Sequence, residues 1–200
     1  MFIQVITAQV GDADGLERQL ERWEQEIRPG AQGFLGSTSG VTDDGRLIVL
    51  ARFESEESAR RNSDRPEQSA WWAETEKMLD QVRFEESVEV VTTGGGGSDD
   101  AGFVQVMRGH VVDAAAMERL RARSDEFEAA MAKHRPDVLG DVTAVHADGT
   151  FTDAVYFTSE AEARANEGLE PPAELRELFE AWETAVAIDD YLDLRRPRLI

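Results

Sequence analysis

Leu16, Leu20, Trp23 and Ile27 recur at steps of four, three and four, the apolar stripe of an amphipathic helix opened by Asp12 or Asp14 and closed by Arg28-Pro29-Gly30. Before it, Phe2 to Gln9 is rich in β-branched and aromatic residues and is apolar on both faces, so it predicts a strand covered on both sides. Gly33 to Thr42 and Arg46 to Phe53 flank Asp43-Asp44-Gly45, where the Asp-Gly pair supplies the positive φ of a tight hairpin. From Ser55 the period turns helical, breaks at Asp64-Arg65-Pro66, and resumes with Trp71, Thr75, Met78, Leu79 and Val82 on one face. A strand from Phe84 to Thr92 ends the set.

The same pattern then runs again. A strand from Phe103 to Val112 precedes a helix opened by Asp113, with Met117, Leu120, Phe127 and Met131 inward. Val138 to His146 and Thr150 to Phe157 flank an Asp148-Gly149 turn. Ser159 and Glu162 read as a capping box, Gly168 to Pro172 interrupt the helix, Leu175, Leu178, Phe179, Trp182 and Val186 continue it, and Ile188 to Leu194 form the last strand. Phe103-Val104-Gln105-Val106-Met107 repeats Phe2-Ile3-Gln4-Val5-Ile6, and Gly45, Phe53 and Asn62 recur as Gly149, Phe157 and Asn166. Between the copies lies Gly94-Gly95-Gly96-Gly97-Ser98-Asp99-Asp100, which has nothing to bury and reads as a flexible linker; no Lys-Ser or Lys-Thr follows it, so it is not a phosphate loop.

These patterns predict an α+β chain with a first repeat over 1–93, a linker over 94–100 and a second repeat over 101–200. Each repeat has the order strand, helix, strand, strand, helix, strand of a ferredoxin-like βαββαβ unit. Because the first strands are apolar on the face away from the helices, the expectation is two sheets packed face to face. That would make a pseudo-dimer within one chain, an α/β-barrel.

Composition narrows the partners. With 21 Lys and Arg against 41 Asp and Glu, a net charge of −20 disfavours nucleic acid and anionic membrane surfaces. Absence of cysteine removes disulfides, thiolate metal sites and thiol nucleophiles. The longest apolar run, Leu47 to Ala51, is too short for a bilayer, and the reading is a soluble, cytoplasmic protein, with higher homo-oligomers left open.

Candidate chemistry concentrates in Ala59 to Trp72. Adjacent Trp71 and Trp72 point about 100° apart on a helix, so Trp71 is expected in the core and Trp72 either faces a cleft or packs. Asp64 with Glu67 can cap the second helical segment. Arg65, Gln68 and Trp72 map onto Leu169, Pro172 and Arg176 in the second copy, so any site is expected to be single and in the first half. Gln4 and Gln105 hold equivalent places in apolar strands and need partners, either across the sheet or in a ligand. His110, His134 and His146 lack metal-site spacing, which leaves His110, at a strand end, as the histidine able to face a cleft.

The twice-repeated topology, with an Asn-Ser-x-x-Pro-Glu-x-x-x-x-Trp type segment on the second helix, resembles the antibiotic biosynthesis monooxygenase-like family of the dimeric α/β-barrel superfamily, here fused in tandem. The resemblance implies an oxygenase that uses neither metal nor organic cofactor and oxidises an electron-rich aromatic or polyketide-like small molecule. On that resemblance Asn62 and Arg65 would stabilise a phenolate-like anion, Trp72 would stack on the rings and His110 would act as base. Gln4, Gln68 or Gln105 would bind the substrate. Related barrels that degrade haem need a histidine on the second helix, which neither copy has. A non-catalytic small-molecule-binding or stress-response protein is the alternative.

Overall fold

The computed structural model describes residues 1–200 apart from the side chain at position 174. The chain divides into two compact units, one of Met1–Glu89 with Arg198–Ile200 and one of Val90–Pro197. The first holds β1 (Phe2–Val10), α1 (Ala13–Arg22), β2 (Phe34–Val41), β3 (Arg46–Phe53), α2 (Glu56–Ser63), α3 (Pro66–Thr75) and most of β4 (Leu79–Thr93). The second holds β5 (Phe103–Val111), α4 (Ala114–Arg121), α5 (Ser124–His134), β6 (Val138–His146), β7 (Thr150–Phe157), α6 (Glu160–Glu167), α7 (Ala173–Ala185) and β8 (Val186–Leu194). A short β9 (Arg198–Leu199) pairs with β2. Among the described residues no helix is long and apolar enough to cross a membrane.

Within each unit the strand order is that of a ferredoxin-like repeat, β4-β1-β3-β2 in the first and β8-β5-β7-β6 in the second. The expected closed barrel is not what forms. All nine strands are hydrogen-bonded in one sheet, in the order β8-β5-β7-β6-β4-β1-β3-β2-β9, which has two ends and is not closed into a barrel. The physical reason lies in β4. It runs for 15 residues, well beyond the point where Glu86 pairs with Gln4, and its far end pairs with β6, which satisfies its backbone groups and joins the strands into one open sheet.

Local chemistry explains the elements. Asp12 accepts from the Gly15 N–H at 2.9 Å and Asp113 from the Ala116 N–H at 2.9 Å, each satisfying a free donor at a helix start. Gly45 and Gly149 turn the two hairpins at φ +82° and +85°. The anticipated Asp64 cap of the second helical segment does not form. Asp64 ends α2 instead, donating its N–H to the Arg60 carbonyl, and Arg65 in extended conformation precedes Pro66. The helical stripe read through Val82 ends in a 3-10 turn at Glu76–Met78. Leu79 and Val82 are strand residues, yet they join the core of Ala8, Leu16 and Leu47 that Trp72 also touches, which is why their spacing mimicked a continued helix.

The glycine segment has structure of its own. Gly94, Gly95 and Gly96 take φ of +58°, +89° and +90°, and Gly96 donates to the Thr93 carbonyl at 2.9 Å. Gly94 donates to Glu128 on α5 at 2.7 Å.

Candidate functional site

In the first unit, alternation along β1 sends Phe2, Gln4, Ile6 and Ala8 to the face that carries the helices. Ile3 and Val5 go to the other face, where both are fully buried. Antiparallel pairing with β4 sets Glu86 opposite Gln4 and Phe84 opposite Ile6, so Phe84 and Glu86 stand two residues apart on that same face. Between this floor and α2 lies a cavity of ≈ 220 Å³ lined by Gln4, Ala59, Arg60, Ser63, Asp64 and Glu86.

α2 supplies the cavity wall because Ser55 and Ser58 cap it reciprocally, which fixes its first turn, and because Ala59 packs on Phe2 and Phe53. Arg60, Ser63 and Asp64 follow Ala59 on the helix and complete the lining. Arg60 turns outward to Glu56 at 2.5 Å.

Beside the cavity the floor is aromatic. Trp72 meets Phe84 edge to face with centroids 5.2 Å apart, and Phe84 remains 50% exposed. Trp71, as its position on the helical stripe required, is buried and donates its indole N–H to the Gln19 carbonyl at 2.7 Å. Trp72 is half-buried. The cavity is polar at Gln4 and Glu86, and outside its lining Phe84, two residues along β4 on the same face, forms an apolar, half-open patch with Trp72.

The other candidates from the sequence hold different places. Asn62 is buried and accepts from Arg65 Nη1 at 3.0 Å, while the same Nη1 donates to the Ile27 carbonyl at 3.1 Å. Arg65 thus ties α2 to Ile27, at the end of the π-helical segment Trp23–Ile27 that continues α1. Gln68 Oε1 accepts from the Trp23 indole at 2.9 Å. None of these three lines the cavity.

In the second unit, His110 Nδ1 lies 2.9 Å from Asp189 Oδ2, both side chains well exposed, and Gln105 Nε2 donates to Asp193 at 3.0 Å. Gln4 is the sequence candidate that lines the cavity; Trp72 packs on the core of Ala8, Leu16 and Leu47 outside that lining, and Glu86, Arg60 and Ser63 were not among the site candidates. The missing signal was register: only the pairing of β1 with β4 reveals that Phe84 and Glu86 face the helices.

No family model matches the chain, and no curated protein matches it. Solved structures do. A candidate monooxygenase from Lactobacillus acidophilus aligns with a TM-score of 0.72 at 13% identity, covering 100% of this chain and 99% of that one. A candidate monooxygenase from Fusobacterium nucleatum aligns at 0.74 and 8% identity, covering 99% and 93%. An anthrone oxidase-like protein aligns at 0.64 and 10% identity, covering 99% and 92%. At such identities the likeness is one of fold.

Proposed function

We propose that the chain binds a small electron-rich aromatic molecule in the cleft of its first unit and oxidises it with molecular oxygen, without a metal or organic cofactor. The observation that carries this reading is the pairing of an exposed aromatic wall, Trp72 with Phe84, and a polar cavity at Gln4 and Glu86 on one face of one strand pair. Fold likeness to candidate monooxygenases and to an anthrone oxidase-like protein supports the reaction class.

The chemistry asks little of the protein beyond binding. For an anthrone, loss of a ring-methylene proton gives an anion, which passes one electron to oxygen; radical and superoxide then combine, and the peroxide loses water. One methylene becomes a carbonyl, one oxygen atom enters the product, the other leaves as water, and the substrate supplies all four electrons. The protein's tasks are to orient the rings, exclude bulk water and accept or direct the first proton. Trp72 and Phe84 suit the first two and the polar end suits the third.

The test follows dissolved oxygen with anthrone, 1-naphthol and hydroquinone, for the native chain and for Trp72→Phe and Phe84→Ala, with thermal shift on the same samples. Uptake above the buffer rate that falls at least about tenfold in both variants supports the reading. A ligand-dependent rise in melting temperature with no uptake reduces the protein to a binder, and no response in either signal removes the site.

A further inference from the structure

The two units can be laid on each other residue by residue at this cavity. β1 and β5 have the same alternation of buried and half-buried positions, with Gln4 and Gln105 in corresponding places. Gln4 pairs with Glu86 in register, and Gln105 with Asp193. α2 and α6 are both eight residues long behind a serine cap, so Ala59, Arg60 and Ser63 correspond to Ala163, Arg164 and Glu167.

The arginines do different things. Arg60 points away to Glu56 and its side chain is 68% exposed. Arg164 is 37% exposed and lies over the sheet. It is ion-paired to Asp193, hydrogen-bonded to Glu167 at 3.0 Å, and has its guanidinium carbon 5.2 Å from the centre of the Phe103 ring. Asp193 in turn holds Gln105. The surroundings of the two arginines differ at more than one position. Glu160, the counterpart of Glu56, is held by Arg195 at 2.9 Å and lies 3.8 Å from Arg164, and Glu167 adds a further carboxylate where the first unit has Ser63, whose hydroxyl donates to the Ala59 carbonyl at 3.1 Å.

We infer that the chain carries two copies of one site: an open one in the first unit, and one in the second unit that is filled by the protein's own Arg164. The guanidinium of Arg164 then stands as an internal ligand. It is planar, it presents N–H donors to the carboxylate opposite the glutamine, and it rests on an aromatic ring. The molecule taken by the open copy has the same form, a flat group with an N–H or O–H donor directed at Glu86, and its rings lie toward Phe84 and Trp72. This last step rests on the function proposed above. It names a phenol or aromatic amidine rather than an aromatic carboxylate as the class bound.

The native chain has no cysteine, so single-cysteine reporters are clean. Alkylation by N-ethylmaleimide, followed by intact mass, is compared for Gln4→Cys and Gln105→Cys. Gln4→Cys is expected to react at least about tenfold faster. Adding Arg164→Ala, or Asp193→Asn as an independent release, should bring Gln105→Cys up to the faster rate. Equal rates for the two reporters, or a Gln105→Cys rate that neither release variant raises in chains that still unfold cooperatively, would overturn the filled copy.

Ligand class is read separately with the same reporter. Benzamidine and phenol should protect Gln4→Cys in a manner lost in Glu86→Gln, and benzoate should not. Protection by benzoate as strong as by benzamidine overturns the donor assignment. If the probes protect and no oxygen is consumed, only the oxidative reading fails.

Discussion

Thr143 on β6 donates its hydroxyl to the Asp153 carboxylate on β7 at 3.0 Å. Asp153 stands on the helix-facing side of the second sheet, opposite Met107 on one neighbour and Thr143 on the other. Burial pushes its acid up to about 7, the nearby Asp141 charge adds to the rise, and the Thr143 hydrogen bond opposes it. Asp141 is itself raised, chiefly by burial and in part by Glu128 on α5, while its hydrogen bond from Thr93 works the other way. An unfolded aspartate titrates near 4, so between about pH 4 and 7 the native chain keeps a proton that the unfolded chain has lost. Stability is therefore full at the acid end of that window and falls as pH rises through it, levelling off above 7. Calorimetry should give a lower melting temperature at pH 8 than at pH 5, and Asp153→Asn should remove most of the difference. Equal values for the native chain at both pH values would show that the ionised carboxylate is accommodated without cost.

Arg65→Met tests whether that residue serves the fold or the substrate. Loss of its guanidinium leaves the Ile27 carbonyl and the buried Asn62 amide each short of a donor. The expected cost is about 1–3 kcal/mol in urea unfolding. Aromatic binding measured well below the transition should be unchanged. A variant of native stability that has lost binding would return Arg65 to the anion-stabilising role first implied by resemblance.

How much of this was legible follows from particular residues. The repeat was plain because Phe103 to Met107 copies Phe2 to Ile6 almost side chain for side chain, and the Asp-Gly turns fixed both hairpins. Trp71 and Trp72 were separable by helical angle alone. What spacing could not supply was anything decided by distant register. Nothing local says that Glu86 will face Gln4, or that the 15-residue β4 continues to β6, and the second choice turned the expected barrel into one open sheet. The contact of Arg65 with the Ile27 carbonyl was equally hidden, because the two residues lie 38 positions apart.

Gln68→Leu addresses the wall behind the cleft. Its amide oxygen is the acceptor of the Trp23 indole, and Trp23 stacks edge to face on Phe34 and lies 6.3 Å from Trp71. An indole N–H left without a partner in this half-buried setting should cost about 1 kcal/mol. The near-ultraviolet circular dichroism of the tryptophans should change in the same variant. An unaltered spectrum with unaltered stability would mean that water replaces the amide.

Three glycines with positive φ separate backbone strain from steric conflict. Gly140 lies at the start of β6 with φ +154°, and a Cβ there would sit 2.4 Å from the Gly96 carbonyl oxygen and 2.8 Å from that of Thr93. Neither atom can move without unmaking the glycine turn. Gly95, in that turn at φ +89°, and Gly149, in the hairpin at φ +85°, have no atom within 4 Å of the same position. Gly95→Ala and Gly149→Ala should therefore cost only the conformational strain, about 1 kcal/mol. Gly140→Ala adds the clash and should cost upwards of about 3 kcal/mol. Chemical unfolding of the three variants ranks them directly. If all three lose the same amount, the segment from Thr93 to Gly97 yields to the new methyl group, and its contact with β6 contributes nothing to the stability of the second unit.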